Sequence, residues 1–345
     1  MAHRTPHKIH KTKFRMLNYC LLPIACCLLL SSCFKEKTIA PPNNQGHGET
    51  AVIEMGPDYN DQFFYSLATN SVLSRNSRFV YDLMFDCDAN KFNIWLNTAK
   101  FMSVMRTGKT DLDSVLLSDT LTGEWHYELG EFNVDSNAIG NWWDTLSGQP
   151  TSAGQVYLIQ MGIDNDGNPL GFIKMKVNNF YGTSYSVTYS DFITPPKTIA
   201  VQKDDSRNYR YLSFAGNGSL ADGVEPAKTD WDLCFTRYSV IFYEPYYLPY
   251  EVTGALHNPS KVQAYMDSTV NFDSMTITNF NVARLQTRRD AVGYDWKRYE
   301  LGDYTVKPWY TYFIKSGDDK FYKLRFLDFK KNGVKGYPTF EFYQL

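Results

Sequence analysis

Histidine and cysteine are scarce in this chain, with six of each among 345 residues. Three histidines and three cysteines fall in the first 32 residues, so little remains for chemistry that needs either. A Ser–His–acid or Cys–His centre requires a histidine held against a nucleophile. Neither His126 nor His257 lies beside a nucleophile signature, so no catalytic constellation marks an enzyme. Long capped helical stripes are also missing, which leaves strands to carry the fold. Basic clusters are thin, Arg284, Arg288 and Arg289 being the densest group.

Aromatic residues, by contrast, are abundant. Tyrosine (25), phenylalanine (23) and tryptophan (7) make up 16% of the chain, a composition suited to pleated, half-buried surfaces. The N-terminus carries a basic segment without acids, from Arg4 to Arg15, then the apolar stretch "LNYCLLPIACCLLLSSC" at 17–33. That length suits a signal peptide better than a membrane-spanning helix. Its ending, Leu30-Ser31-Ser32-Cys33, has the form at which a bacterial lipoprotein is cut, with Cys33 then becoming the point of lipid attachment. Residues 1–32 are therefore read as a lipoprotein signal peptide and 33–50 as a flexible tether. Without the leader, 30 basic residues face 37 acidic ones. That excess of acid argues against nucleic acid as a partner. Cys87 and Cys234 are the cysteines that remain for the folded part. A bond between them is not deducible from sequence.

The segment "FVYDLMFDCDAN" at 79–90 is echoed by "TDWDLCFTRYSV" at 229–240. Four further landmarks repeat in the same order. They are 62–67 with 209–214, 139–144 with 292–297, 156–168 with 311–320, and 172–189 with 322–343. Several alternate in polarity with a period of two, as in "FYKLRFLDF" at 321–329. The expected fold is all-β: two tandem antiparallel β domains from an internal duplication, at 51–197 and 198–345, joined near "ITPPKT" at 193–198.

The second half, about 208–345, resembles the HmuY family of Bacteroidetes haem-binding lipoproteins. The resemblance rests on "YRYLSF", "DWDLCFTRYSV", "VGYDWKRY", "YTYFIKSGDDKFYKLRFLDF" and "GYPTFEF"; the first half reads as a diverged copy. It implies a lipid-anchored outer-membrane protein, facing the cell surface, that serves iron acquisition. Such a protein takes haem (haem b) from a carrier protein and passes it to a TonB-dependent transporter. It further implies iron held by two side chains from loops, here at about 250–308, as a His pair or by Met. The chain departs from the His pair. The loop after Trp296 has no histidine, and Leu301 stands where one would fall. The remaining haem-binding candidates are Met266, Met275 and His257. For the methionines, packing in a core is the competing reading. For His257, which precedes Asn-Pro, it is a solvent-facing turn.

Other features have two readings each. Asp164-Asn165-Asp166-Gly167-Asn168 starts like a calcium loop but lacks the downstream Glu, so a hairpin turn is expected, and no metal other than haem iron. The arginines at 284–289 suit a haem propionate or an acidic carrier, with a solvated loop as the competing reading. The tyrosines of "FYEPYYLPYEVTG" at 242–254 line a pocket or partner surface, or cover one end of the fold. The alternative to haem capture is a duplicated β module for protein or glycan contact with the haem site lost.

Overall fold

A computed structural model of the chain describes residues 48–345 except 145–149 and 318. The expected signal peptide, Cys33 and the tether through His47 lie outside the described residues. The tether was expected to run to residue 50, but strand structure already begins at Glu49. Among the described residues every helical piece is a short 3-10 turn, and none is long and apolar enough to cross a membrane. The fold is all-β and antiparallel.

In chain order the strands of three or more residues begin with β1 (Glu49–Val52), β2 (Asp61–Ser66), β3 (Ser71–Ser77), β4 (Leu83–Asp86), β5 (Ile94–Leu96) and β6 (Ser103–Arg106). Next come β7 (Val156–Gln160), β8 (Phe172–Tyr181), β9 (Ser184–Ser190), β10 (Lys197–Gln202) and β11 (Tyr209–Ser213). After these follow β12 (Leu233–Phe242), β13 (Leu248–His257), β14 (Gln263–Asp267), β15 (Lys297–Glu300) and β16 (Asp303–Val306). The last three are β17 (Thr311–Ser316), β18 (Lys320–Lys331) and β19 (Val334–Gln344).

Four sheets result. One is ordered β10-β9-β8-β7-β6 and a second β11-β4-β5, each with a two-residue strand at its edge. A third runs β13-β12-β2-β3 and the fourth β1-β19-β18-β17-β14. Strand alternation stacks them. On β4, Leu83 and Phe85 face a core shared with Val104, Tyr157, Tyr185 and Val187, while Met84 faces the other way. On β12, Leu233 and Phe235 join Tyr65, Trp296 and Phe340, and Cys234 points opposite. Met84 and Cys234 meet in a middle cluster with Phe64, Trp95, Tyr211 and Trp231. The two central sheets are thus buried on both faces, so β2, β4 and β12 read as apolar runs rather than alternating ones. Cys87 and Cys234 are both free and buried.

Strand pairing crosses the division expected at 197/198. β1 and β2 pair with β19 and β12 of the second half. β10 and β11 pair with β9 and β4 of the first. Each half therefore lends its opening strands to the other's sheets.

The two echoes make the same bonds. Asp82 accepts from Phe214 N at 2.6 Å and pairs with Lys100. Asp232 accepts from Leu67 N at 2.7 Å and pairs with Lys261 at 2.9 Å. Asn97 N and Asn258 N each donate to the carbonyl of that aspartate at 2.9 Å. The Asn97 side-chain amide donates to Tyr81 O, and that of Asn258 to Trp231 O, both at 2.9 Å. In each half the aspartate fastens the strand that arrives from the other.

Candidate functional site

The three haem-ligand candidates are not brought together. His257, expected at a solvent-facing turn, is instead fully buried at the end of β13. Its backbone N–H donates to Arg289 O at 2.8 Å. Its Nδ1 lies 3.2 Å from Asn258 O, which assigns the proton there, and Nε2 has no partner. Burial pushes this imidazole down to about 4. The reason for burial is local. His257-Asn258-Pro259-Ser260-Lys261 holds the position that Leu96-Asn97-Thr98-Ala99-Lys100 holds in the first half, and Leu96 is a core residue. That echo was legible in the sequence and was missed.

Met275 is fully buried against Tyr265 and Phe313, following a 3-10 turn at Phe272–Ser274. Lys323 donates to its carbonyl at 2.9 Å. Met266 lies on β14, where Tyr265 turns toward Met275 and Met266 toward the main core. Neighbouring strand positions face opposite ways, so one iron cannot reach both methionines. Leu301 stands fully exposed at the tip of the β15–β16 hairpin.

Of the arginines, Arg284 pairs with Asp267, and Arg288 pairs with Asp290 at 2.6 Å. Arg289 departs from the solvated-loop reading. It is buried, 4.5 Å from the Phe132 ring centre and 5.5 Å from that of Tyr209. Asp164 closes the expected turn, accepting from Asp166 N at 2.9 Å and Asn168 N at 2.8 Å.

Two concavities adjoin along Tyr294 and Asp295. The loop carrying them is pressed against β13, where Gly254 and Gly293 meet. A Cβ on Gly254 would lie 2.3 Å from Gly293 O, so only glycine fits. On one side lies a groove of about 230 Å³ lined by Met266, Arg288, Tyr294, Tyr310 and Tyr312. Of the three ligand candidates, Met266 reaches this groove.

On the other side lies a cleft of about 1200 Å³ between β13, the β15–β16 hairpin and the loop 57–60. Tyrosine rings shape it, with Tyr299 and Tyr304 tilted against each other at 4.9 Å and Tyr250 beside Phe242 at 5.6 Å. Tyr243, Tyr246 and Tyr247 continue outward as exposed rings, so the 242–254 segment does not bury its tyrosines as a cover. In the cleft wall Glu251 pairs with Arg237 through Oε2, and its Oε1 lies 3.8 Å from Arg78. Burial raises the Glu251 carboxyl against the pull of the two arginines. Lys297 is buried beneath, donating to Thr253 O, with Nζ 4.2 Å from the Trp296 ring centre. Burial pulls its ammonium down to about 7.

The fold is thus a stack of antiparallel sheets with two open, aromatic-lined concavities. Residues 188–342 match the HmuY protein family. No curated protein matches the chain. Among solved structures, it is similar to the apo HmuY analog (TFO) of Tannerella forsythia. Identity is 11%, coverage 88% of this chain and 98% of that one, and the TM-score 0.26. It is also similar to apo PinO from Porphyromonas gingivitis, at 9% identity, covering 87% and 97% of the two chains, with a TM-score of 0.25.

Proposed function

We propose that this protein binds haem in the groove beside Met266 and is a carrier rather than an enzyme. In this reading Cys33 anchors it by lipid to the outer membrane, at the cell surface. It takes haem from a carrier protein and hands it to a TonB-dependent transporter. The observation that carries the reading is the HmuY family match over 188–342, a span that contains the groove. The groove's chemistry is compatible with haem. The Met266 thioether is a known type of axial ligand, Tyr294 and Tyr310 offer ring faces, and Arg288 offers a cation for a propionate. At about 230 Å³ the groove is smaller than the ~300–1,000 Å³ of ordinary ligand pockets. It would grip one edge of the macrocycle. Met275 and His257, enclosed as they are, take no part.

Titrating haemin into the full-length chain in detergent tests this. A saturable Soret shift that weakens in Met266→Ala is expected. An unshifted spectrum overturns haem binding, and an unchanged Met266→Ala spectrum removes Met266 as ligand.

A further inference from the structure

We propose that the large cleft captures an extended segment of a partner protein, which adds as a further strand to the open edge of β13. The inference goes beyond haem binding and does not depend on it. β13 is the edge strand of its sheet. It pairs with β12 from His257 to Leu248 without a bulge, so successive residues turn their backbone N–H and C=O alternately toward β12 and away from it. At its C-terminal end the outer edge is already paired. Ala255 exchanges hydrogen bonds with Gly293, at 3.0 and 2.9 Å, and His257 N donates to Arg289 O at 2.8 Å. Ala255 and His257 therefore face outward, and alternation turns Thr253, Glu251 and Pro249 the same way.

Past Gly293 this pairing stops, and the cleft begins. Lys297 reaches back to fill the Thr253 carbonyl. Among the described residues nothing bonds to the N–H groups of Thr253 and Glu251 or to the carbonyls of Glu251 and Pro249. Thr253 and Glu251 are partly exposed and line the cleft, so an incoming chain reaches them. Proline, which has no N–H, suits the outward position 249. An unpaired edge of this kind is a template for another strand. Its groups recur on alternate residues, about 6.7 Å apart, a repeat that an extended polypeptide matches and a porphyrin does not. Main-chain bonds supply the affinity of strand addition, and side-chain contacts, here the rings of Tyr250 and Tyr299, supply its selectivity.

The recess decides where the segment comes from. The open stretch is walled by the β15–β16 hairpin and the loop 57–60. A single extended segment enters such a recess. A second copy of this chain would have to bring an edge strand with the rest of its sheet behind it, and the walls stand in the way. This chain's own N-terminal segment starts at the wrong end. β1 enters the fold beside Phe342, about 23 Å along β19 from Lys335 at the cleft. The occupant is therefore an extended segment of a separate protein.

The probe is a phage-displayed library of random dodecapeptides, panned on the full-length protein in detergent, with hits resynthesised and titrated by calorimetry. N-methylation of one set of alternate residues, which removes the donors facing β13, should weaken a hit about tenfold. Methylating the intervening set should weaken it far less. On the protein, Thr253→Pro removes an N–H that faces the cleft and no bond to β12, and should cost about tenfold in affinity. Thr253→Val keeps the N–H and should bind as before, as should Met266→Ala. Circular dichroism reports whether Thr253→Pro folds; if it does not, the methylated peptides still decide the matter on the unaltered protein. No enriched peptide, affinity indifferent to N-methylation, or full affinity in a folded Thr253→Pro would overturn the proposal. Self-association that Thr253→Pro abolishes would assign the edge to a second copy instead, and hits that all match residues 34–47 would assign it to this chain's own N-terminal segment; either overturns it.

Discussion

At position 257 an imidazole occupies the enclosed site that Leu96 fills with an aliphatic chain in the first half, and Nε2 has no partner. An unsatisfied buried nitrogen costs about 1–3 kcal/mol. His257→Leu should therefore stabilise the fold at pH 7 by about 1 kcal/mol. The pH dependence has a definite sign. With a folded value near 4 against 6.5, the unfolded chain takes up a proton that the folded chain refuses. Stability is complete above about 6.5 and declines as pH falls toward 4, by about 3 kcal/mol in all. Thermal melts of the two proteins from pH 7 to 4 check both points, since the gap between them should widen as pH falls. A constant gap would show that His257 is not the group responsible. The Asn-Pro after this histidine suggested a turn, and a turn follows it. What sequence order alone conceals is that the preceding residue still belongs to a strand with both neighbours covered.

Elements rather than single side chains decide which methionine is available. Period-two alternation on β14 sends Tyr265 and Met266 to opposite faces. The sequence displayed that alternation, but not which face would meet an opening. The strand character of 62–67, 156–160 and 172–189 was legible for the same reason, from aromatic and β-branched runs between glycine-rich turns. The Asp-Leu echoes were legible as a pattern, and their task was not. Each fastens a strand arriving from about 130–165 positions away, and sequence spacing does not encode which strand comes. Asp232 is buried and shared among Leu67 N, Ser316 Oγ at 2.7 Å and Lys261. Asp232→Ala leaves Lys261 as an uncompensated cation, at 12% side-chain exposure. A loss of about 3–5 kcal/mol follows. Hydrogen exchange should then accelerate first across β2. Unaltered protection there would mean that Asp232 does not hold the strand.

At the scale of the molecule, the exchange of opening strands makes each half dependent on the other. Phe63 and Tyr65 of β2 complete the core of the C-terminal sheets, with Tyr65 5.4 Å from the Phe340 ring. If residues 198–345 were expressed alone, β11 would lose β4 and be free to take the place of β2. Register fixes what it would bring. Phe63 pairs with Phe235, and Arg210 pairs with Phe85, the counterpart of Phe235 in the first echo. The substitute strand would therefore place Arg210 where Phe63 packs and Leu212 where Tyr65 packs. Packed into that core, the guanidinium would leave its present partners, Asp204 at 3.9 Å and Asp222 at 3.1 Å. The cost of an unpaired buried charge exceeds what burying Leu212 returns. The 198–345 fragment should therefore lack dispersed amide resonances by NMR. Adding a peptide of residues 48–77, which carries β1 to β3, should restore them with saturable affinity. Arg210→Phe with Leu212→Tyr in the same fragment should fold without the peptide, because β11 then presents the β2 side chains. A wild-type fragment that folds unaided would show that strand exchange is a convenience of the full chain and not a requirement of its cores.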